Sequence, residues 1–178
     1  VFVLRQQSGI RRREAMQFRN PGHALRWAFQ VINEPIVKVS SINKMRGPSG
    51  HGEMTPHDRH AQAALIIGLC ERVLSPLHFA YVKVQFGKDC TGMDILARHI
   101  AGCFGTGLHS RRGIEQIIRG YCGDRVTLSD LKISMRVGHI QAAALRNKGY
   151  YVLDSIHAQF MTSLWREMEE RELLVATA

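Results

Sequence analysis

The chain has 178 residues, 45% hydrophobic and 22% charged, with a formal net charge of +9 and a pI near 9.9. That is enough for one medium domain or two very small ones, and a real core can be buried without staples. The composition is that expected of a soluble globular protein, and no apolar run in these residues reaches the roughly 18 that a membrane-spanning helix needs. The positive excess points to a polyanionic partner, nucleic acid first and an anionic membrane surface second.

The first segment, to about Asn20, is basic, with Arg5, Arg11, Arg12, Arg13 and Arg19. It reads as a helix with an arginine face or as a flexible arm. Its basic cluster follows a short apolar piece, the wrong order for a signal peptide. In "NPGHALRWAFQVINEP", Asn20 is an N-cap candidate and Pro21 fits the first helical position. Leu25, Phe29 and Ile32 recur on one face, with Trp27 and Ala28 beside them, and Asn33-Glu34-Pro35 stops the helix. "PIVKVSSI" alternates as a short strand would. Gly47, Pro48, Ser49, Gly50 and Gly52 then mark a flexible linker over 47–54. The chain divides there into an N-terminal arm and helix, 1–46, and a helical domain, 55–178.

Helical patterns fill that domain. Thr55-Pro56 starts one helix. Ser75-Pro76 starts another, which Gly87 ends. Thr91 with Asp94 resembles a capping arrangement for "MDILARHIAGCF". "GTGLHS" is a turn, Ser110 caps "RRGIEQIIRGYC", and Gly123 ends it. Thr127 and Asp130 repeat the capping pattern. A last helix from about Tyr150 buries Leu153, Ile156, Phe160 and Leu164 and ends acidic at Glu167, Glu169, Glu170 and Glu172. At an offset of 36 residues, Gly87, Thr91, Asp94 and Gly102 match Gly123, Thr127, Asp130 and Gly138, a weak sign of two successive helix-turn-helix units. The expected fold is therefore mainly α, a helical bundle with one or two such units.

Chemistry-bearing residues are few. Cys70, Cys90, Cys103 and Cys122 form no C-x-x-C pair and read as reduced thiols of a cytosolic protein. His51, His57 and His60 cluster, but no further ligand completes a zinc set. No nucleophile elbow, P-loop, G-x-G-x-x-G or H-E-x-x-H is present. The chain reads as a non-enzyme without metal or cofactor; a hydrolase built on His51, His57, His60 and Asp58 is the enzyme alternative.

"TLSDLKISMRVGHIQAAALRNKGYYVL" carries the functional signal. Leu128, Leu131 and Met135 face inward on a first helix, Gly138 lies at the bend, and Ala142 and Leu145 face inward on a second. This stretch resembles the helix-turn-helix of sigma-factor region 4, with Thr127, Leu128, Asp130, Leu131, Met135, Val137, Ala142 and Leu145 in register over 127–149. The resemblance implies base-edge reading by His139 and Gln141. It implies phosphate contacts by Arg125, Lys132, Arg136, Arg146 and Lys148. The Ala142-Ala143-Ala144 run departs from the pattern and suggests that specificity is modest, or shared with a first unit through Lys88, Arg98, His109, Arg111 and Arg112.

More broadly, residues Pro56 to Glu170 resemble the small bacteriophage late-gene antitermination proteins called Q, of the kind without zinc. That resemblance implies binding to double-stranded DNA at a phage late promoter, in the cytoplasm of a bacterial host. The protein would then load onto paused bacterial RNA polymerase, alter its RNA exit channel and prevent terminator hairpins from forming. Arg11, Arg12 and Arg13 would contact polymerase or nascent RNA. A conventional helix-turn-helix promoter-binding regulator is the alternative, and an interaction protein with incidental charge a further one.

Overall fold

Local capping chemistry sets most of the helix starts. The computed structural model describes residues 17–35, 54–105 and 110–175. They form seven α-helices: α1 Pro21–Asn33, α2 Pro56–Val73, α3 Pro76–Gly87, α4 Met93–Phe104, α5 Arg111–Tyr121, α6 Leu128–Met135 and α7 His139–Glu170. Asn20 accepts from the His23 N–H, Ser75 from the His78 N–H, and Pro21 and Pro76 follow where no N–H is needed. Thr55 with Asp58 and Thr127 with Asp130 form reciprocal capping boxes at α2 and α6. Gly123, with φ at +100°, supplies the left-handed residue just beyond α5.

Helix α7 is the spine. Its 32 residues extend about 48 Å at 1.5 Å per residue, and it contacts all six other helices. Leu153, Ile156, Phe160, Leu164 and Met168 form its inward stripe, and all are buried. Helix α1 packs on α2, α3 and α7, and Ala24, Leu25, Ala28 and Val31 join the same core as the helices beyond the glycine-rich segment. Phe18 closes that end. Its N–H donates to the Leu173 carbonyl and its carbonyl accepts from Val175, both at 2.9 Å, an isolated parallel bridge beside Leu174.

Several local readings need correction. The helix expected to start near Tyr150 does not: α7 runs unbroken from His139. Thr91 and Asp94 do not cap α4. Asp89 takes the Thr91 N–H at 2.9 Å and caps a 3-10 turn at Cys90–Gly92, while Asp94 pairs with Arg111. Gly102 lies within α4, whereas its counterpart Gly138 precedes α7, so the 36-residue repeat does not produce matching breaks. Ser110 sits at the N-cap of α5 but makes no side-chain cap bond. Ile32 is exposed, because α1 buries the face of Ala24, Ala28 and Val31 instead. Among the described residues no strand is present. The alternating segment after Pro35 and the glycine-rich residues 47–53 lie outside the described residues, as do Arg5, Arg11, Arg12, Arg13, His51 and His109.

Glycine lets α7 approach α5. A Cβ at Gly149 would lie 2.6 Å from Ile117 Cγ2, and one at Gly113 would lie 2.4 Å from Met135 Cγ. Gly149→Ala gains up to about 1 kcal/mol of helix propensity. Overpacking against β-branched Ile117 costs about 1–3 kcal/mol. Net destabilisation is expected, read as a lowered urea midpoint with an unchanged m value.

A polar network ties α3, α5 and α7. Tyr81 Oη lies 3.1 Å from His157 Nδ1, and Tyr121 Oη donates to Asp154 at 2.7 Å. Burial lowers the His157 pKa, opposed by Asp154. The fold therefore prefers neutral imidazole. That contribution is complete above the unfolded pKa of 6.5 and is lost as pH falls through the lower folded value. Thermal melts should show stability falling on acidification below about pH 6.5, and His157→Gln should flatten that part of the profile.

Candidate nucleic-acid interface

Helices α5, α6 and the first turns of α7 pack on one another. Leu131, Met135 and Ala142 are buried between them, with Ile114, Ile117 and Ile118 on the α5 side and Leu128, Val137 and Leu145 packed around. The α6–α7 connection is three residues, Arg136 to Gly138. The sharp bend is taken by Arg136, in the left-handed region at φ 55°, rather than by Gly138, whose φ of −70° any residue adopts. Gly138 does not make the turn that its place in the sequence implies; it is the N-cap of α7 and offers no side-chain cap bond.

Two consequences follow for charge. The first turn of α7 contains no carboxylate, and its leading N–H groups lack a side-chain cap. Such an end attracts anions. Around it, residues 111–150 carry eight Arg and Lys against Glu115, Asp124 and Asp130. Glu115 is held by Arg111 at 2.8 Å. The Asp130 carboxyl is engaged by Thr127, whose hydrogen bonds keep its pKa low. Among the described residues, Arg112, Arg119, Arg125, Lys132, Arg136 and Lys148 are exposed and make no ion pair.

The sequence-predicted contacts separate in the structure. His139 and Gln141 are exposed, as outward base readers must be. Lys132, Arg136, Arg125 and Lys148 are exposed on the same three-helix unit, with Lys148 Nζ 6.0 Å from the Phe104 ring. Arg146 is half-buried. Its Nε is sealed without a hydrogen-bond partner, and its guanidinium sits 6.0 Å from the Tyr150 ring. Arg111 binds Asp94 and Glu115, tying α4 to α5. Lys88 ends α3 and Arg98 lies on the outside of α4. Arg112 lines an open groove along α5 with Gln116 and Arg119.

Sequence reasoning missed the crest of the exposed face. With Ala142, Leu145 and Gly149 inward, advancing 100° per residue puts Ile140, Ala144, Asn147 and Tyr151 at the centre of the outward side. All four are exposed, whereas His139 and Gln141 lie on opposite flanks. The same projection was available in the sequence once the inward pair was chosen. Arg119 was also missed; it lies two turns beyond Arg112 on α5.

The remaining chemistry is sparse. All four cysteines are free thiols, and burial pushes Cys70 up to about 12 and Cys122 up to about 11, which disfavours thiolate. No group of three or more His, Cys, Asp or Glu converges to hold a metal among the described residues. No helix among them is long and apolar enough to cross a membrane. No protein-family model matches the chain, and no curated protein matches it.

Proposed function

We propose that the chain binds double-stranded DNA by laying the first turns of α7 in the major groove. One observation carries this reading. The outward side of α7 is uncovered, begins at an uncapped helix end, and belongs to a three-helix unit whose Arg112, Arg119, Arg125, Lys132, Arg136 and Lys148 are exposed and make no ion pair. Packing alone gives no reason to leave Ile140 outside or six cations unpaired. Backbone contact by those cations would position the duplex, and the crest of α7 would meet base edges.

Within this reading, the resemblance to the Q proteins supplies the role: an antitermination factor that loads onto RNA polymerase at a phage late promoter and permits terminator read-through. The conventional promoter-binding regulator uses the same α7 surface. Gel shifts of random duplex DNA across a salt series test the shared premise, with affinity falling steeply as salt rises. No shift at low salt rejects it. Read-through of a terminator by purified polymerase then separates the two roles.

A further inference from the structure

The most exposed large apolar side chain on the three-helix unit is Ile140, at 86%, followed by Tyr151 at 77% and Ile133 at 75%. Two of the three lie on the crest of α7. Between them, one turn beyond Ile140, is Ala144, and Asn147 projects from the next turn. From Ile140 to Asn147 the crest extends about 10 Å along the helix axis, roughly the span of three stacked base pairs.

We infer that this crest reads thymine–adenine pairs in the major groove. Ile140 and Ala144 contact thymine 5-methyl groups, and the Asn147 amide pairs with the N6 and N7 edge of an adjacent adenine. Thymine alone among the four bases presents a methyl group in that groove, and an asparagine amide matches adenine in two hydrogen bonds. The alternatives fit less well. Guanine readout is commonest through Arg or Lys, and the crest carries neither. Lys148 stands about 80° from Ile140 and about 40° from Ala144 around the helix and leans toward Phe104. Charge complementarity favours DNA over a protein groove as occupant, because the three-helix unit that carries the crest exposes Lys132, Arg136 and Lys148 without ion pairs, alongside Ile133. The inference deepens the DNA-binding reading and rests on it.

The experiment separates the two. Binding sites are selected from a pool of random duplexes, and the best duplex is remade with deoxyuridine in place of thymidine, one position at a time. Only the methyl groups are lost. Selection should enrich adjacent T·A pairs, and uracil at the contacted positions should weaken binding about fourfold per methyl. Ile140→Ala should abolish the response at one of those positions without changing the thermal midpoint, since the side chain is outside the core. Asn147→Ala should relax the choice of the neighbouring adenine. Salt-dependent binding that ignores uracil overturns this inference and leaves DNA binding standing. Absence of binding to any duplex removes both. If Ile140→Ala leaves every duplex affinity unchanged yet abolishes association with purified RNA polymerase, the crest is a protein-docking face and the inference fails.

Discussion

Alanine at Lys132, Arg136 and Lys148 together should weaken duplex binding about 500-fold at 0.1 M salt, with affinities converging toward 1 M. Each phosphate contact contributes a salt exponent of about 0.9, so each is worth about eightfold between those concentrations, and three multiply. The slope of log affinity against log salt should therefore fall by about 2.7. All three side chains are exposed and free of ion pairs, so the fold should be unaffected. Arg111→Ala is the informative control. That guanidinium already holds Asp94 and Glu115, and its loss should leave the salt slope nearly unchanged. An unaltered slope in the triple variant would remove α6 and α7 from the DNA interface.

Phe160→Ala should produce the largest loss of stability from a single change. The side chain is wholly buried about two-thirds of the way along α7, with its ring 5.4 Å from Tyr81, 6.3 Å from Phe86 and 5.1 Å from His157. Truncating such a ring costs about 3–5 kcal/mol, part of it from the cavity left behind. At about 2–4 °C per kcal/mol for a chain of this size, the thermal midpoint should drop by roughly 6–20 °C. Leu65→Ala, at a position 70% exposed, should shift it hardly at all. Equal melting of the two variants would mean that α7 is not the central support of the core.

The helix starts at Asn20, Thr55, Ser75 and Thr127 were legible because a cap is made by residues three apart in the chain. The reading failed where two local partners competed. Thr91 could be held by Asp94 or by Asp89, and the structure takes the nearer carboxylate on the N-terminal side. It failed again at Gly149-Tyr150. Glycine there resembles a helix end, yet its function is to let Ile117 of another helix come close. No spacing within the segment reveals a neighbour 32 residues away. Ala142 and Leu145 face inward as their spacing implies, and His139 and Gln141 are exposed. Arg146 does not follow its charge: the period puts it only about 40° from Ala142, on the edge of the inward stripe. Its identity as arginine suggested solvent, and its position on the cylinder decided otherwise. The role of α5 as the third wall of the unit was invisible, because it depends on glycine contacts between helices.

Because α7 has no hinge between its cationic beginning and its acidic end, the two are phased like marks on a single rod. Ala144 and Glu169 are 25 residues apart, close to seven full turns, so both point to the same side. In the proposed DNA-bound pose, a duplex on the early turns would lie about 37 Å from Glu169 along the rod, beyond the reach of screened charge. In that pose a second partner at Glu169 would meet the rod at a bearing fixed relative to the duplex, and inserting one residue between them would swing that bearing by about 100°.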